Sequence, residues 1–139
     1  MLEGLARELG VERQVCFAGW ISGGMDRFYS ALDINALTSL SETFPYALTE
    51  GARFHLATVS TAVGGIPYLI DQDVNGYLFQ PGDWQALGND LAALGNDDEL
   101  RRRLGEKLYE KASTQFSIQK TVSTQLQICL LYTSPSPRD

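Results

Sequence analysis

Two glutamates eight positions apart, Glu42 and Glu50, bracket the string Thr43-Phe44-Pro45-Tyr46-Ala47-Leu48-Thr49. An ionised carboxylate only accepts hydrogen bonds, so a pair of them suits a ligand rich in donating hydroxyls, such as a sugar or a ribose. Residues 45–54 between and beyond them read as a helix, with Pro45 in the first turn, where its missing N–H costs little. The free N–H groups and positive dipole end of that helix form a cradle for a diphosphate. At about 1.5 Å per helical residue, the two backbones lie up to about 12 Å apart, enough to grip an extended ligand at both ends. Two glutamates on a solvated helix face are the plainer and commoner reading of the same residues.

Other chemistries find less support. The single histidine, His55, is not accompanied by a GxSxG serine elbow, and after Arg53 it reads as a cation at a helix C-terminus. Cys16 and Cys129 lack CxxC spacing and indicate neither a disulfide framework nor a zinc site, and Cys16 reads as a buried thiol. Asp71-Gln72-Asp73 has metal-ligand spacing but precedes Asn75-Gly76, so it reads as a polar turn. Trp84, after Gly82-Asp83, reads as a helix-start packing residue, with sugar stacking as the alternative. Arg101-Arg102-Arg103 shares a helix with Glu99, Glu106 and Glu110 and reads as a solvated face, with attraction to a membrane surface as the alternative.

Eleven Lys and Arg against seventeen Asp and Glu give a net charge of −6, which excludes a broad nucleic-acid footprint. Any anionic ligand must therefore be held locally. No apolar run of about 18 residues and no signal-peptide stretch occurs, so a cytoplasmic setting is expected.

The elements that must position these residues alternate. Residues 2–9 read as a short helix stopped by Gly10, and residues 14–20 (QVCFAGW) as a buried strand ended by Gly19. A helix over 25–32, a strand over 33–39, the helix over 45–54 and a strand over 57–61 follow. Val63-Gly64-Gly65-Ile66-Pro67 reads as a loop and Asn75-Gly76-Tyr77-Leu78-Phe79 as a turn into a fourth strand. Residues 84–94, 98–116 and 117–128 complete the helices. Alternating elements with continuously apolar strands predict an α/β fold, a Rossmann-like parallel sheet with helices on both faces. In such sheets ligands bind beyond the carboxyl ends of the strands, here the loops 19–24, 40–45 and 62–67.

The last eleven residues, 129–139 (CLLYTSPSPRD), change character abruptly and read as a translated sequencing adapter, a non-native tail to be set aside. A genuine Pro/Ser-rich tail is the alternative. With an adapter at the end, the natural protein is expected to continue past Ile128, and residues 1–128 are expected to be one partial domain of a longer protein.

The Glu pair, with 63–67, 75–79, the strand residues 15–19, the string Phe28-Tyr29-Ser30-Ala31-Leu32-Asp33-Ile34 and Phe116-Ser117 in that family's order, resembles the C-terminal domain of retaining GT-B glycosyltransferases of family 4. The resemblance covers nearly all of 9–122. It implies a partial C-terminal half of a GT-B fold that transfers a sugar from a nucleotide-diphosphate-sugar donor with retention of configuration, in bacterial surface polysaccharide or glycolipid assembly. Glu42 would contact the donor sugar and serve catalysis, and Glu50 would bind the ribose. The amides near Thr43, Phe44 and Tyr46 would touch sugar and diphosphate, and Gly19, Trp20 and Ile21 would line the base pocket. No metal or other cofactor is implied. The acceptor, carbohydrate or lipid-linked, would meet an N-terminal domain outside this chain, and peripheral contact with the inner membrane face would suit a lipid-linked one.

The chain departs from the family pattern at two places. Many members carry Gly-Phe-Gly where this chain has Thr43-Phe44-Pro45, so the cradle has one amide fewer and a narrower pocket. The family's basic Arg and Lys pair has no counterpart here, which is expected if its loop, with the first strands of the sheet, precedes residue 1. A nucleotide- or carbohydrate-binding remnant without transfer, and a GT-B nucleotide-sugar epimerase, are the alternatives.

Overall fold

The computed structural model describes residues 1–133. In chain order the elements are α1 (Leu2–Glu8), α2 (Met25–Ser30), β1 (Ile34–Leu37), α3 (Tyr46–Arg53), β2 (Ala57–Thr61), α4 (Ile66–Leu69), β3 (Tyr77–Phe79), α5 (Trp84–Gly95), α6 (Asp98–Gln115) and α7 (Ile118–Thr133). The strands form one parallel sheet in the order β1-β2-β3, with Ile34 opposite Ala57 and Val59 opposite Tyr77. All five residues of β2 are buried, as a strand covered on both faces and paired on both edges must be.

Period-two alternation divides the core between the two faces. Ala57, Val59, Tyr77 and Phe79 pack with Leu94 of α5 and Leu104 of α6. On the other face Leu37 and Leu78 pack with Leu48 and Ala52 of α3, Ile66 and Leu69 of α4, and Leu108 and Ala112 of α6. Helix α6 belongs to both clusters, and its spacing 104, 108, 112 is one helical stripe. Gly105 brings it against the chain entering β2, where a Cβ would stand 1.9 Å from the His55 carbonyl oxygen. The α5–α6 turn is closed by Asp97, which caps Leu100 N–H, and by Arg101, which donates to the Leu94 carbonyl and pairs with Asp98. Arg101 thus works as a connector rather than as part of a solvated run.

Sequence and structure part at residues 14–20. They make no ladder and every one of them is exposed, including Val15, Phe17 and Cys16. A strand exists only through neighbouring backbone, and among the described residues nothing pairs with this segment or with the free edge of β1. The buried-strand and buried-thiol expectations fail together for that reason. Trp84 is 63% exposed and packs little at the start of α5. Helix α7 runs on through Thr133 into the segment read as an adapter, whose residues 134–139 lie outside the described residues.

Candidate functional site

Loop 38–45 leaves the carboxyl end of β1 and delivers the chain to α3. Within it the Glu42 carboxylate accepts a 2.7 Å hydrogen bond from the Ser39 hydroxyl. The Ser39 carbonyl in turn accepts from Thr61 Oγ1 at 2.7 Å, which ties the loop to the end of β2. The backbone of Glu42 and Thr43 is clamped by the glycine loop that follows β2. Gly64 has φ +54, and a Cβ on it would lie 1.6 Å from the Glu42 carbonyl oxygen; Gly65 N–H donates to the Thr43 carbonyl at 2.9 Å. Only glycine combines that left-handed backbone with that approach. The neighbouring Phe44 stacks on Phe116, with ring centroids 5.2 Å apart, so the far end of α6 holds the loop from outside.

Pro45 forms the N-cap of α3 rather than its first turn, and its carbonyl accepts from Leu48 N–H. It offers no N–H itself, so the helix start presents the amides of Tyr46 and Ala47. The helix sits against the sheet because Gly51 leaves room for Asn35 of β1, whose Nδ2 donates to the Ala47 carbonyl at 3.0 Å. The opposite side of α3 is open: Tyr46, Glu50 and Arg53 repeat at helical spacing along a groove of about 690 Å³, whose other wall includes Tyr109, Phe116 and Ser117.

Glu50 is exposed, yet one of its oxygens is held. Tyr29, at 5% exposure, directs its hydroxyl to Glu50 Oε2 at 3.1 Å and to the Ala47 carbonyl at 3.4 Å. Its ring stacks on Phe54 and meets Phe28 edge-on. Burial, then the hydrogen bond to Glu50 and its charge, push the Tyr29 phenol up to about 12. This residue went unassigned from sequence. The available signal was chemical: a tyrosine within an apolar string that becomes buried must find a partner for its hydroxyl.

Glu42, Thr43, Phe44, Tyr46 and Glu50 are therefore gathered around the start of α3 by β1, β2 and α6. Gly19, Trp20 and Ile21 are not brought to the groove; Trp20 is 94% exposed and Gly19 takes a left-handed turn at φ +65. Asp71 pairs with Lys111 at 2.7 Å, Asp73 sits at φ +63 and the Asn75 side chain binds Asp71 N–H and the Leu69 carbonyl, the geometry of a polar turn. His55, just past the C-cap of α3, meets Glu106 and lies tilted against the ring of Tyr109, both of α6.

A parallel sheet with helices on both faces, with one held carboxylate on a strand-end loop and a second on the helix that follows, is a Rossmann-like α/β fold of the kind found in GT-B glycosyltransferases. Residues 1–111 match the family glycosyl transferases group 1, and the chain belongs to that family. It is 32% identical over 119 residues to the N-acetyl-alpha-D-glucosaminyl L-malate synthase of Bacillus anthracis, covering 86% of this chain and 31% of that protein. It is 33% identical over 129 residues to the D-inositol 3-phosphate glycosyltransferase of Corynebacterium glutamicum, covering 92% and 30%. Among solved structures it resembles the C-terminal domain of LpcC, a glycosyl transferase group 1 family protein from Francisella tularensis, with TM-score 0.77, 31% identity, and coverage of 85% of this chain and 62% of that one. Anabaena HepE in complex with UDP-glucose aligns with TM-score 0.84 and 26% identity, over 94% of this chain and 36% of that one. The chain thus spans under a third of the length of these two curated relatives.

Proposed function

We propose that the complete protein transfers a sugar from a nucleotide-diphosphate-sugar donor to an acceptor hydroxyl with retention of configuration, and that this chain contributes the donor-binding side of the site. The observation that carries the reading is that both motif carboxylates are held by hydroxyl donors, Glu42 by Ser39 and Glu50 by Tyr29, while each keeps acceptor capacity for a ligand. That HepE was solved with UDP-glucose supports the donor class.

In this reading Glu42, at the strand end, accepts hydrogen bonds from the sugar's hydroxyls and fixes the anomeric carbon relative to the acceptor. Glu50, in the second turn of α3, accepts from the ribose. The amides of Tyr46 and Ala47 and the helix dipole face the diphosphate, whose charge grows as the glycosidic bond breaks. Thr43 and Phe44 form the wall of the sugar pocket. Gly19, Trp20 and Ile21 lie away from the groove, and this reading assigns them no contact with the base. No metal enters the scheme, and assembly of surface polysaccharide or glycolipid on the inner membrane face is the setting we infer.

Donor kinetics on the complete protein test the assignment. Glu42→Ala is expected to lower kcat with little change in donor KM, and Glu50→Ala to raise donor KM by about tenfold or more, as loss of a hydrogen bond to a charged group does. Wild-type values for both variants would remove the site. Donor turnover without an acceptor would favour an epimerase instead, and nucleotide binding without any turnover by the complete protein would favour a binding module.

A further inference from the structure

We propose that Tyr29 is a positioning residue for nucleotide recognition: its buried hydroxyl holds Glu50 Oε2 so that Oε1 faces the ligand as a preformed acceptor for the ribose hydroxyls. The proposal rests on the donor-binding role given to Glu50 above and adds a residue that role does not itself require.

The geometry separates this arrangement from an ordinary packing tyrosine. Glu50 sits on the open side of α3, in the wall of the groove, where a three-bond side chain would otherwise sample many rotamers. Arg53 lies three positions on and would be the usual partner, yet among the described residues no ion pair joins them. The donor that does reach Glu50 comes from a different element, α2, and is 5% exposed. Its ring is fixed between Phe28 and Phe54, so the hydroxyl has little freedom. The same hydroxyl reaches the Ala47 carbonyl, which also accepts from Asn35, so the helix turn and the carboxylate are registered together. Among the described residues Oε1 has no hydrogen bond. A carboxylate held on one oxygen is ordered before the ligand arrives, and the entropy of ordering it is not lost on binding. Burial and the Glu50 carboxylate keep Tyr29 protonated far above neutral pH, so it remains a donor throughout the working range.

The test is a binding cycle on the complete protein with uridine, guanosine and adenosine diphosphate, continued with the 2′- and 3′-deoxy forms of whichever binds best. Wild type, Tyr29→Phe, Glu50→Gln and the double variant are compared. Tyr29→Phe keeps the stacked ring, and circular dichroism checks that it folds. The expected result is about fivefold weaker binding for Tyr29→Phe, a deoxy penalty that shrinks with it, and no further loss when it is added to Glu50→Gln. A second readout is the phenolate absorbance of the chain, in which the latest-titrating tyrosine of wild type should titrate earlier in Glu50→Gln. Unchanged affinity in Tyr29→Phe, or a loss that is additive with Glu50→Gln and indifferent to the ribose hydroxyls, would overturn the proposal. If no diphosphate binds wild type, or Glu50→Gln binds as wild type does, the donor-site reading itself falls and takes the proposal with it.

Discussion

At the scale of single residues, Tyr29 makes a second, independent prediction about stability. Folding raises its pKa from 10.0 to about 12, chiefly through burial and secondly through Glu50. A group whose pKa rises on folding stabilises fully below its unfolded pKa and loses that contribution as pH climbs through the folded value. Tyr77 is shifted in the same direction, mainly by burial. Denaturant midpoints should therefore hold up to about pH 10 and fall between 10 and 12, and the fall should be shallower in Tyr29→Phe. Equal slopes in the two proteins would show that Tyr29 does not contribute to it. Gly64 has no such tolerance. An alanine there combines a left-handed backbone with a Cβ 1.6 Å from the Glu42 carbonyl oxygen, so Gly64→Ala is expected to cost more than about 2 kcal/mol and to displace the loop that carries Glu42. Thermal melting together with diphosphate titration would read both effects.

Two helix glycines have opposite surroundings. In α6, a Cβ on Gly105 would overlap the His55 carbonyl, so Gly105→Ala should push the helix from the sheet and destabilise by more than about 2 kcal/mol. In α5, Gly88 has nothing within 4 Å, and Gly88→Ala should stabilise by about 0.5–1 kcal/mol through helix propensity alone. Urea unfolding of the two variants checks the contrast, and equal effects would mean that α6 does not approach the sheet as described. The side-chain stripe of α6 carries the rest of the contact. Leu104 and Leu108 are fully buried, one in each core cluster, so truncating either to Ala should cost about 2–5 kcal/mol.

For the whole molecule the surface is as informative as the core. Helix α7 exposes Ile118, Val122, Leu126 and Leu130 along one trough, and the 14–20 segment adds Val15, Phe17 and Trp20. An exposed apolar stripe such as that of α7 drives association unless it is covered. The isolated chain should therefore self-associate with rising concentration in sedimentation velocity, and Leu126→Glu should weaken that tendency. A monodisperse monomer across the range would count against it. The described residues contain no helix long and apolar enough to cross a membrane.

The alternating elements, the central strand at 57–61 and the helix between the two glutamates were legible in the sequence because local patterns determine them: a continuous apolar run, a helical stripe, a proline at a helix start. The ordered motif strings identified the family on the same local footing. What the sequence could not show was which hydroxyl meets which carboxylate. Ser39 lies three residues from Glu42 and was within reach of a local argument, whereas Tyr29 and Glu50 are separated by twenty-one positions and meet only because α2 and α3 pack together. The same limit explains the error at residues 14–20, where the composition of a strand was present and its partner was not. Periodicity is a property of the chain, but pairing, burial and the approach of Gly64 to Glu42 are properties of its neighbours in space, and only the tertiary structure decides them.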